Sequence, residues 1–393
     1  MREIIRTIGI VLLVLAVPCG AIDFSPVTDP IGDYVASHPD ISGAGLLLMN
    51  FDGTVLLEQY WGEFDRHSIV RLASATKWFS GTAIMSLVDD GLLDLDLHVG
   101  EILPSFAGKP DGKDEITVRQ MFSHTSGLPS RTIWERWGAI TLEQAANGIA
   151  QNVDMESAPG AEFRYGSASM QVAGRIAEVV AGKSWKMLFE ERVTNPLGVT
   201  DTDFLGFEST VINPQIAAGG RSSIDSYERL LRMLIDDGCY NGLQVLSSEA
   251  VAVILSDQTV GAVPYDLPTT LNEYLGYGIG NWIFRLDEND EPVEFASPGA
   301  FGTTPWIDFE YGYYGVFMID DLNVNIDPYI DNLRAFTRDA LKETVDLADF
   351  AILAADWQKP QGSYDGDITG PNGIPDGYVN MYDLVKFCDD WLR

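Results

Sequence analysis

The segment that most restricts the fold of this 393-residue chain is Ser74-Ala75-Thr76-Lys77, at the start of an apolar stretch. From Thr76 to Asp90 the apolar residues recur at helical spacing and Gly91 follows, which predicts a helix. At this spacing the Ser74 hydroxyl and the Lys77 amine share one helix face and can meet. A lysine whose charged form is disfavoured by burial and by a helix N-terminus can act as base toward a serine nucleophile. Because Ser-x-x-Lys also arises by chance, the surrounding sequence must decide whether this pair is catalytic.

The flanking sequence predicts a mixed α/β fold. Two apolar strands lie between Gly43 and Gly62 and read as an antiparallel hairpin around the turn at residues 50–53. The stretch from Thr117 to Val193 reads mainly as helices, whereas Gly276 to Phe284 and Tyr311 to Ile319 read as further strands. Helices inserted between sheet segments predict an α/β domain with a helical subdomain.

Further motifs accompany Ser74 in a fixed order. They are Leu87 to Asp96, Ile116 to Leu128, Pro159-Gly160, Phe163-Arg164-Tyr165, Gly174 to Gly182, Asn195 to Gly198, Ala218-Gly219-Gly220 and Ser297 to Ala300. With these motifs the chain resembles the penicillin-recognising serine hydrolases, in particular the class C beta-lactamase-like group with its D,D-peptidases, esterases and amide hydrolases. The resemblance implies the beta-lactamase/D,D-peptidase-like fold, an antiparallel sheet flanked by helices plus a helical subdomain.

The resemblance also implies a role for each matching residue. Ser74 would be the acylated nucleophile, Lys77 its proton partner and Tyr165 the acid/base that passes the proton to the leaving group. The backbone N–H groups of Ser74 and Ala300 would form an oxyanion hole, which stabilises charge that develops in the tetrahedral state. This chemistry needs no cofactor.

Two positions depart from the family pattern. Ser167 stands where the family commonly has the asparagine of Tyr-x-Asn, so a short hydroxyl replaces the amide that helps to bind substrate. Ser297-Pro298-Gly299 stands where beta-lactamases carry Lys-Thr-Gly, so the cation that would meet a substrate carboxylate is missing. These changes argue against penicillins and D-Ala-D-Ala termini and favour a carboxylic ester as the small-molecule substrate. The alternatives are a D,D-peptidase or amide hydrolase of cell-wall peptides and a catalytically inactive binding protein.

Two other residue types in this region have more than one interpretation. His124 is a tempting general base, but in the family its motif forms a structural turn after a helix. The tryptophans could line an acyl or leaving-group pocket or pack in the core; they are Trp134, Trp137 and Trp306.

The N-terminus has the three parts of a secretory signal: Arg2 and Arg6, the apolar run Ile8 to Val17, and Ala21, after which we expect cleavage. The run is too short for a bilayer core of about 30 Å, so a membrane span is not expected. Pro18 argues against lipidation of the following Cys19. We therefore expect residues 1–21 to be a signal peptide, residues 22–340 to be the hydrolase domain, and the protein to be exported, to the periplasm or outside the cell. The remaining cysteines, Cys239 and Cys388, read as buried apolar residues rather than a disulfide pair.

The chain is strongly acidic, with 25 Lys and Arg against 58 Asp and Glu and a formal charge of -33. Such a surface repels phosphate backbones, which excludes nucleic acid as an expected partner. Carboxylates that are clustered rather than dispersed can still bind cations.

The C-terminal residues 341–393 contain an internal repeat. Val345 to Trp357 matches Val379 to Trp391, and each copy carries the apolar stripe of a short helix. Before the second copy lies an acidic stretch that resembles a dockerin-type calcium loop. Counted back from the last position, its ligands are Asp383, Asn380, the Tyr378 carbonyl, Asp376 and, if Pro371 to Pro375 are an insertion, Thr369 and Asp367, with Asn372 as the alternative first ligand.

The first copy lacks the upstream carboxylates, so only the second is expected to bind Ca²⁺. The resemblance implies a degenerate dockerin-like pair that docks to a cohesin-like protein. The alternative is a small cap that stabilises the hydrolase.

Overall fold

The structure is a computed structural model that describes residues 22–208, 210–267, 274–322 and 325–342. The predicted signal peptide, Cys388 and every predicted calcium ligand lie outside the described residues. Two compact units are present. One comprises residues 30–330 and contains the sheet and the motifs described above. The described residues of the other are 22–29 and 331–342, where the Phe24 and Phe336 rings pack 5.7 Å apart.

Strands and helices alternate along the described chain. The strands are β1 (Gly43–Asn50), β2 (Val55–Gly62), β3 (Val70–Arg71), β4 (Glu162–Arg164), β5 (Arg221–Ser222), β6 (Cys239–Tyr240), β7 (Leu243–Gln244), β8 (Val263–Asp266), β9 (Trp282–Leu286), β10 (Pro292–Ala296), β11 (Thr304–Asp308) and β12 (Tyr313–Ile319). The α-helices are α1 (Ser25–Ser37), α2 (Thr76–Asp89), α3 (Val99–Ile102), α4 (Val118–Phe122), α5 (Leu142–Asn152), α6 (Ala168–Ala181), α7 (Trp185–Phe189), α8 (Asn195–Leu197), α9 (Ile224–Ile235), α10 (Ser248–Ile254) and α11 (Asp327–Lys342).

A six-stranded antiparallel sheet has the strand order β2-β1-β12-β11-β10-β9. Strands β1 and β12 are continuous apolar runs and are buried along almost their whole length, as expected of strands covered on both faces. Helix α9 packs against β12, β11 and β1. On β11 the fully buried Trp306 ring lies over Gly315 of β12, where a Cβ would come within 2.3 Å of the indole. Trp306 is therefore a core residue and does not line a pocket.

Helix α2 runs through the interior of the unit formed by residues 30–330. Its side chains from Thr76 to Leu87 are all buried, so it lacks the polar face of a surface helix. It packs against α6, α7 and α10. The residues at its N-terminal end are therefore held by neighbours on every side.

Most of the predicted elements are confirmed. The hairpin is β1 and β2, the helix after Ser74 is α2, and the stretch from Thr117 to Val193 is mainly helical. The prediction of a strand from Gly276 is wrong, because residues 276–281 are irregular apart from a β-bridge between Tyr277 and Trp282, and β9 begins at Trp282. Gly276 and Gly280 adopt left-handed φ angles of 129° and 88°, which a regular strand does not accommodate.

Two smaller differences concern the start of β12 and the place of Cys239. Strand β12 begins at Tyr313, two residues later than predicted, since Gly312 forms a turn. Cys239 is a free, half-buried thiol in the short hairpin of β6 and β7, so its expected place in the core is wrong. No helix in the described ranges is long and apolar enough to span a membrane.

Candidate active site

Ser74 lies in a single 3-10 turn, Ala73–Ala75, that joins β3 to α2. Ala73, directly before it, has a left-handed φ of 45°, a conformation that costs energy for a residue with a Cβ. The turn is held in place where the Leu72 N–H donates to the Gly220 carbonyl at 2.8 Å and the Tyr227 hydroxyl donates to the Ala75 carbonyl at 2.6 Å. The half-buried Ser74 side chain is thus presented on a fixed, strained turn.

Lys77 extends along the helix toward this serine. Its ammonium group lies 3.0 Å from the Ser74 hydroxyl oxygen and 3.0 Å from the Ala217 carbonyl oxygen. The side chain is buried, with 2% of the residue exposed, and it forms no ion pair with a carboxylate of the described residues. The amine and the hydroxyl are therefore within proton-transfer distance, in a site that excludes most water.

The segment 216–220 fixes the other acceptor of the lysine. The Ser80 hydroxyl donates to the Ile216 carbonyl at 2.6 Å, and the Gly220 N–H donates to the Thr76 hydroxyl at 2.9 Å. A Cβ on Gly220 would lie 2.7 Å from that hydroxyl oxygen, which explains the glycine at this position. Hydrogen bonds on both sides of Ala217 thus hold its carbonyl toward Lys77.

The Tyr165 ring lies over the lysine, with the Lys77 Nζ atom 4.8 Å from the ring centroid. The ring packs against Trp282 at 4.8 Å and against His124 at 4.7 Å between centroids. It follows β4 and precedes α6, and it is half-buried. Tyr165, which is distant in the sequence, is thus brought to the Ser74 and Lys77 pair.

The His124 ring packs against the Tyr165 ring. It lies in a turn after α4 with a left-handed φ of 59°, and its Nδ1 atom accepts a hydrogen bond of 3.4 Å from the Gly166 N–H. Burial lowers the pKa of His124 well below its ordinary value of 6.5, and the nearby positive charge of Lys77 lowers the pKa further. The imidazole is therefore neutral at neutral pH, with Nδ1 in the acceptor role.

The segment 297–300 lies along the other side of the nucleophile turn. The Ser297 hydroxyl is buried and donates to the Gly280 carbonyl at 3.0 Å. A Cβ on Gly299 would come within 2.1 Å of the Leu72 carbonyl oxygen, so the two backbones are in direct contact. Ala300 is exposed, and its N–H donates no hydrogen bond to the residues that the structure describes. That N–H is therefore free to donate to a bound ligand.

Ser167 has a different neighbour from the one its position in the motif suggests. Its hydroxyl donates to the Glu135 carboxylate at 3.2 Å, and no hydrogen bond joins it to Lys77 in the described ranges. Glu135 was not among the residues singled out in the sequence. The signal available in the sequence was Thr132, three residues before Glu135. At this spacing the threonine hydroxyl and N–H can both donate to the carboxylate, as they do here.

An aromatic rim borders the segment that carries Ala300. The Phe301 ring meets Phe207 edge to face at 5.9 Å, and the Arg71 guanidinium lies over both rings, 4.0 Å from Phe207 and 5.1 Å from Phe301. Asp320 pairs with this guanidinium at 2.6 Å, so its charge is neutralised. Phe207 remains 69% exposed. No pattern in the sequence singles out this rim, because Phe207 and Phe301 lie on separate loops.

Trp134 and Trp137 belong to the loop that precedes α5. Their rings pack 5.8 Å apart, and the Asn213 side chain donates to both of their backbone carbonyls. Trp137 is 48% exposed, whereas Trp134 is half-buried and covers Gly148. This pair therefore differs from Trp306 in being accessible from solvent.

In this chain a serine lies in the turn directly before a buried helix, a lysine lies in the first turn of that helix, and a tyrosine ring lies over the lysine. Together with the antiparallel sheet, this is a beta-lactamase/D,D-peptidase-like α/β fold. The Beta-lactamase family model matches residues 31–336. The chain therefore belongs to the Beta-lactamase family of serine hydrolases.

Individual relatives agree with this placement. Penicillin-binding protein 4 of Amycolatopsis lactamdurans is 28% identical over 224 residues, which cover 50% of this chain and 58% of that protein. The chain thus spans little more than half the length of that relative. A protein of Bacteroides dorei DSM 17855 assigned to the beta-lactamases is 30% identical, with a TM-score of 0.72 over 81% of this chain and 99% of that one. EstCE1, a hydrolase with promiscuous acyltransferase activity, shares the fold at 21% identity, with a TM-score of 0.66 over 81% of this chain and 98% of its own.

Proposed function

We propose that this protein is an exported serine hydrolase of the class C beta-lactamase-like group that cleaves carboxylic esters through a Ser74 acyl-enzyme. The observation that carries the proposal is the 3.0 Å separation of the Lys77 amine and the Ser74 hydroxyl, with the Tyr165 ring over the same amine. A serine is a weak nucleophile until a neighbouring base takes its proton, and this pair supplies that base.

In the proposed reaction the Ser74 oxygen attacks the ester carbonyl while its proton passes to the Lys77 and Tyr165 pair. The carbonyl oxygen becomes an anion that accepts hydrogen bonds from the Ser74 and Ala300 N–H groups. Collapse of the tetrahedral state breaks the bond to the leaving alkoxide, which takes the proton from Tyr165. A water molecule then attacks the acyl-enzyme by the same steps, releasing the carboxylic acid and restoring Ser74.

The charges around Ser74 support a neutral substrate. Ser297 stands in place of a cation, and its hydroxyl is already bonded to the Gly280 carbonyl. The guanidinium of Arg71 is paired with Asp320 and covered by Phe207. Neither group is free to bind a substrate carboxylate, whereas the aromatic rim offers apolar contact. These features favour an uncharged ester with apolar groups over a peptide ending in D-alanine.

The test compares three substrate classes with purified protein: short-chain p-nitrophenyl esters, nitrocefin and a peptide ending in D-Ala-D-Ala. We expect ester hydrolysis, lost in Ser74→Ala and strongly reduced in Tyr165→Phe. Ser248→Ala, at an exposed helix position, is the matched serine control and keeps wild-type activity. A fluorophosphonate should label the wild type but not Ser74→Ala.

Other outcomes identify the alternatives. Turnover of the peptide with little ester hydrolysis would favour the D,D-peptidase or amide hydrolase, in keeping with the similarity to a penicillin-binding protein. Folded wild-type protein that neither labels nor turns over any substrate would make it a binding protein.

The proposal extends to the tail on sequence grounds. The repeat and the acidic stretch ending at Asp383 support a dockerin-like module in residues 341–393 that binds Ca²⁺ and attaches the enzyme to a cohesin-like partner. The signal-like residues 1–21 support export, which suits such an attachment.

A further inference from the structure

Ser167 occupies the N-cap position of α6 but does not cap the helix. A serine at this position ordinarily accepts a hydrogen bond from the first turn. Here no such bond is present, and the hydroxyl instead donates to the Glu135 carboxylate at 3.2 Å. The residue two positions after Tyr165 is thus committed to a distant side chain.

Glu135 is a buried carboxylate, with 2% of the residue exposed. It accepts hydrogen bonds from the Thr132 N–H at 2.7 Å, from the Thr132 hydroxyl and from Ser167. No lysine, arginine or histidine of the described residues forms a salt bridge with it. Its contact with Ser167, the N-cap residue of α6, places it at the positive end of a 14-residue helix, which stabilises a negative charge there.

The backbone strengthens the same link. The Ser167 N–H donates to the Ser130 carbonyl at 2.7 Å, and a Cβ on Gly166 would lie 2.0 Å from that carbonyl oxygen. On the other side of Tyr165, the Arg164 N–H donates to the His124 carbonyl at 2.8 Å. The chain is therefore pinned immediately before and after Tyr165, and segment 130–135 supplies the second of these attachments.

We propose that Glu135 is a positioning residue that acts through Ser167 to hold the Tyr165 phenol at Lys77 and Ser74. The inference rests on the proposed function, since it concerns the acid/base that this function assigns to Tyr165. It changes the role expected for Ser167, whose hydroxyl serves Glu135 instead of a substrate.

The variants that test it are Ser167→Ala, Glu135→Ala, Glu135→Gln and the double alanine variant. We expect either alanine to lower kcat for a p-nitrophenyl ester by roughly 10- to 100-fold, the cost of a small misplacement of a catalytic group, with KM nearly unchanged. The double variant should lose no more than the worse single one, because both changes break one link. Glu135→Gln should restore most of the lost kcat, since its amide oxygen can still accept from Ser167.

Glu178→Ala is the matched control. This partly buried carboxylate lies on α6 and accepts from the Trp185 N–H at 2.9 Å, so its loss affects stability and leaves kcat at the wild-type value. Fluorophosphonate labelling of each variant reports the reactivity of Ser74 whatever the natural substrate is, and thermal melts report folding. If Glu135→Ala does not fold, Ser167→Ala and Glu135→Gln decide the matter.

Wild-type kcat and labelling rates in Ser167→Ala would overturn the inference and leave the proposed function intact. Fully additive losses in the double variant would also overturn it. A wild type that neither labels nor cleaves would remove the proposed function, and the positioning role with it.

Discussion

Replacing Gly299 with alanine tests the proposed oxyanion hole with a single added methyl group. The new Cβ would lie 2.1 Å from the Leu72 carbonyl oxygen and 3.4 Å from the Ala75 nitrogen. Both neighbours are backbone atoms, so neither can rotate away as a side chain would. Because Cβ contacts below 3.0 Å are essentially never seen, the two segments must separate by about 0.9 Å.

That separation moves the Ala300 N–H away from Ser74. A donor must lie about 2.7–3.1 Å from the developing oxyanion, and loss of one donor lowers kcat by roughly 10²- to 10³-fold, or about 2.7–4 kcal/mol. Because this hydrogen bond strengthens in the transition state, kcat and kcat/KM should fall together while KM stays nearly constant. Overpacking should also lower the free energy of unfolding by about 1–3 kcal/mol.

The assay is steady-state hydrolysis of a p-nitrophenyl ester, with thermal melts to verify folding. Gly32→Ala is the control, because its added Cβ meets only the edge of the Trp61 side chain, at 3.0 Å. Its kcat should equal that of the wild type. A folded Gly299→Ala protein with kcat within about threefold of wild type would refute the assignment of Ala300 to the oxyanion hole.

Three further predictions concern the rim, the buried histidine and the tail. Phe207→Ala should lower kcat/KM for a long-chain ester by roughly 10-fold relative to the acetate, because an apolar contact is lost. Phe309→Ala, which removes another exposed aromatic ring, should leave the ratio of the two kcat/KM values unchanged. Equal ratios in both variants would contradict a role of the rim in binding the acyl chain. Because the pKa of His124 is lowered in the folded state, the folded protein binds fewer protons than the unfolded protein below pH 6.5. The free energy of unfolding should therefore fall on acidification below that pH, by up to about 1.4 kcal/mol per pH unit. Denaturant unfolding of the wild type and of His124→Asn between pH 7 and 5 measures this free energy. If it falls equally with pH in both proteins, His124 is not the cause. Free Ca²⁺ at 100 times Kd should stabilise the folded tail by about 2.7 kcal/mol and so raise the melting temperature of a tail transition in the full chain. Asp383→Ala should abolish this rise, and a melting temperature of the wild type that does not depend on calcium would exclude the site.

The parts of the fold that follow from local patterns were predictable. The continuous apolar run of β1 and the helical spacing after Thr76 indicate buried elements directly, and the serine-to-lysine spacing predicts the contact between the Ser74 and Lys77 side chains. The irregular segment 276–281 was missed, because its apolar residues resemble those of a strand. Its form is decided by packing, since a Cβ on Gly280 would lie 2.3 Å from the Lys77 carbonyl oxygen.

The supporting residues of the site could not be predicted in the same way. Glu135 and Ser167 are separated in the sequence by helix α5 and strand β4, and Asp320 reaches Arg71 from the end of β12. Neither carboxylate stands out in a chain with 58 acidic residues. Only the tertiary structure distinguishes these two from carboxylates that are merely solvated.

Backbone contacts fix one part of the site around Ser74, whereas side-chain contacts form a second part that can vary. Three backbone segments, 216–220, 279–280 and 297–299, press on the start of α2, and glycines at Gly220, Gly280 and Gly299 permit the approach. Side chains cannot be added there without moving the catalytic groups. The rim at Phe207 and Phe301 is held by side-chain contacts, and Phe207 is open to solvent. Substrate preference should therefore change through substitutions in the rim at little cost in stability, whereas the reaction itself depends on the glycine-lined segments.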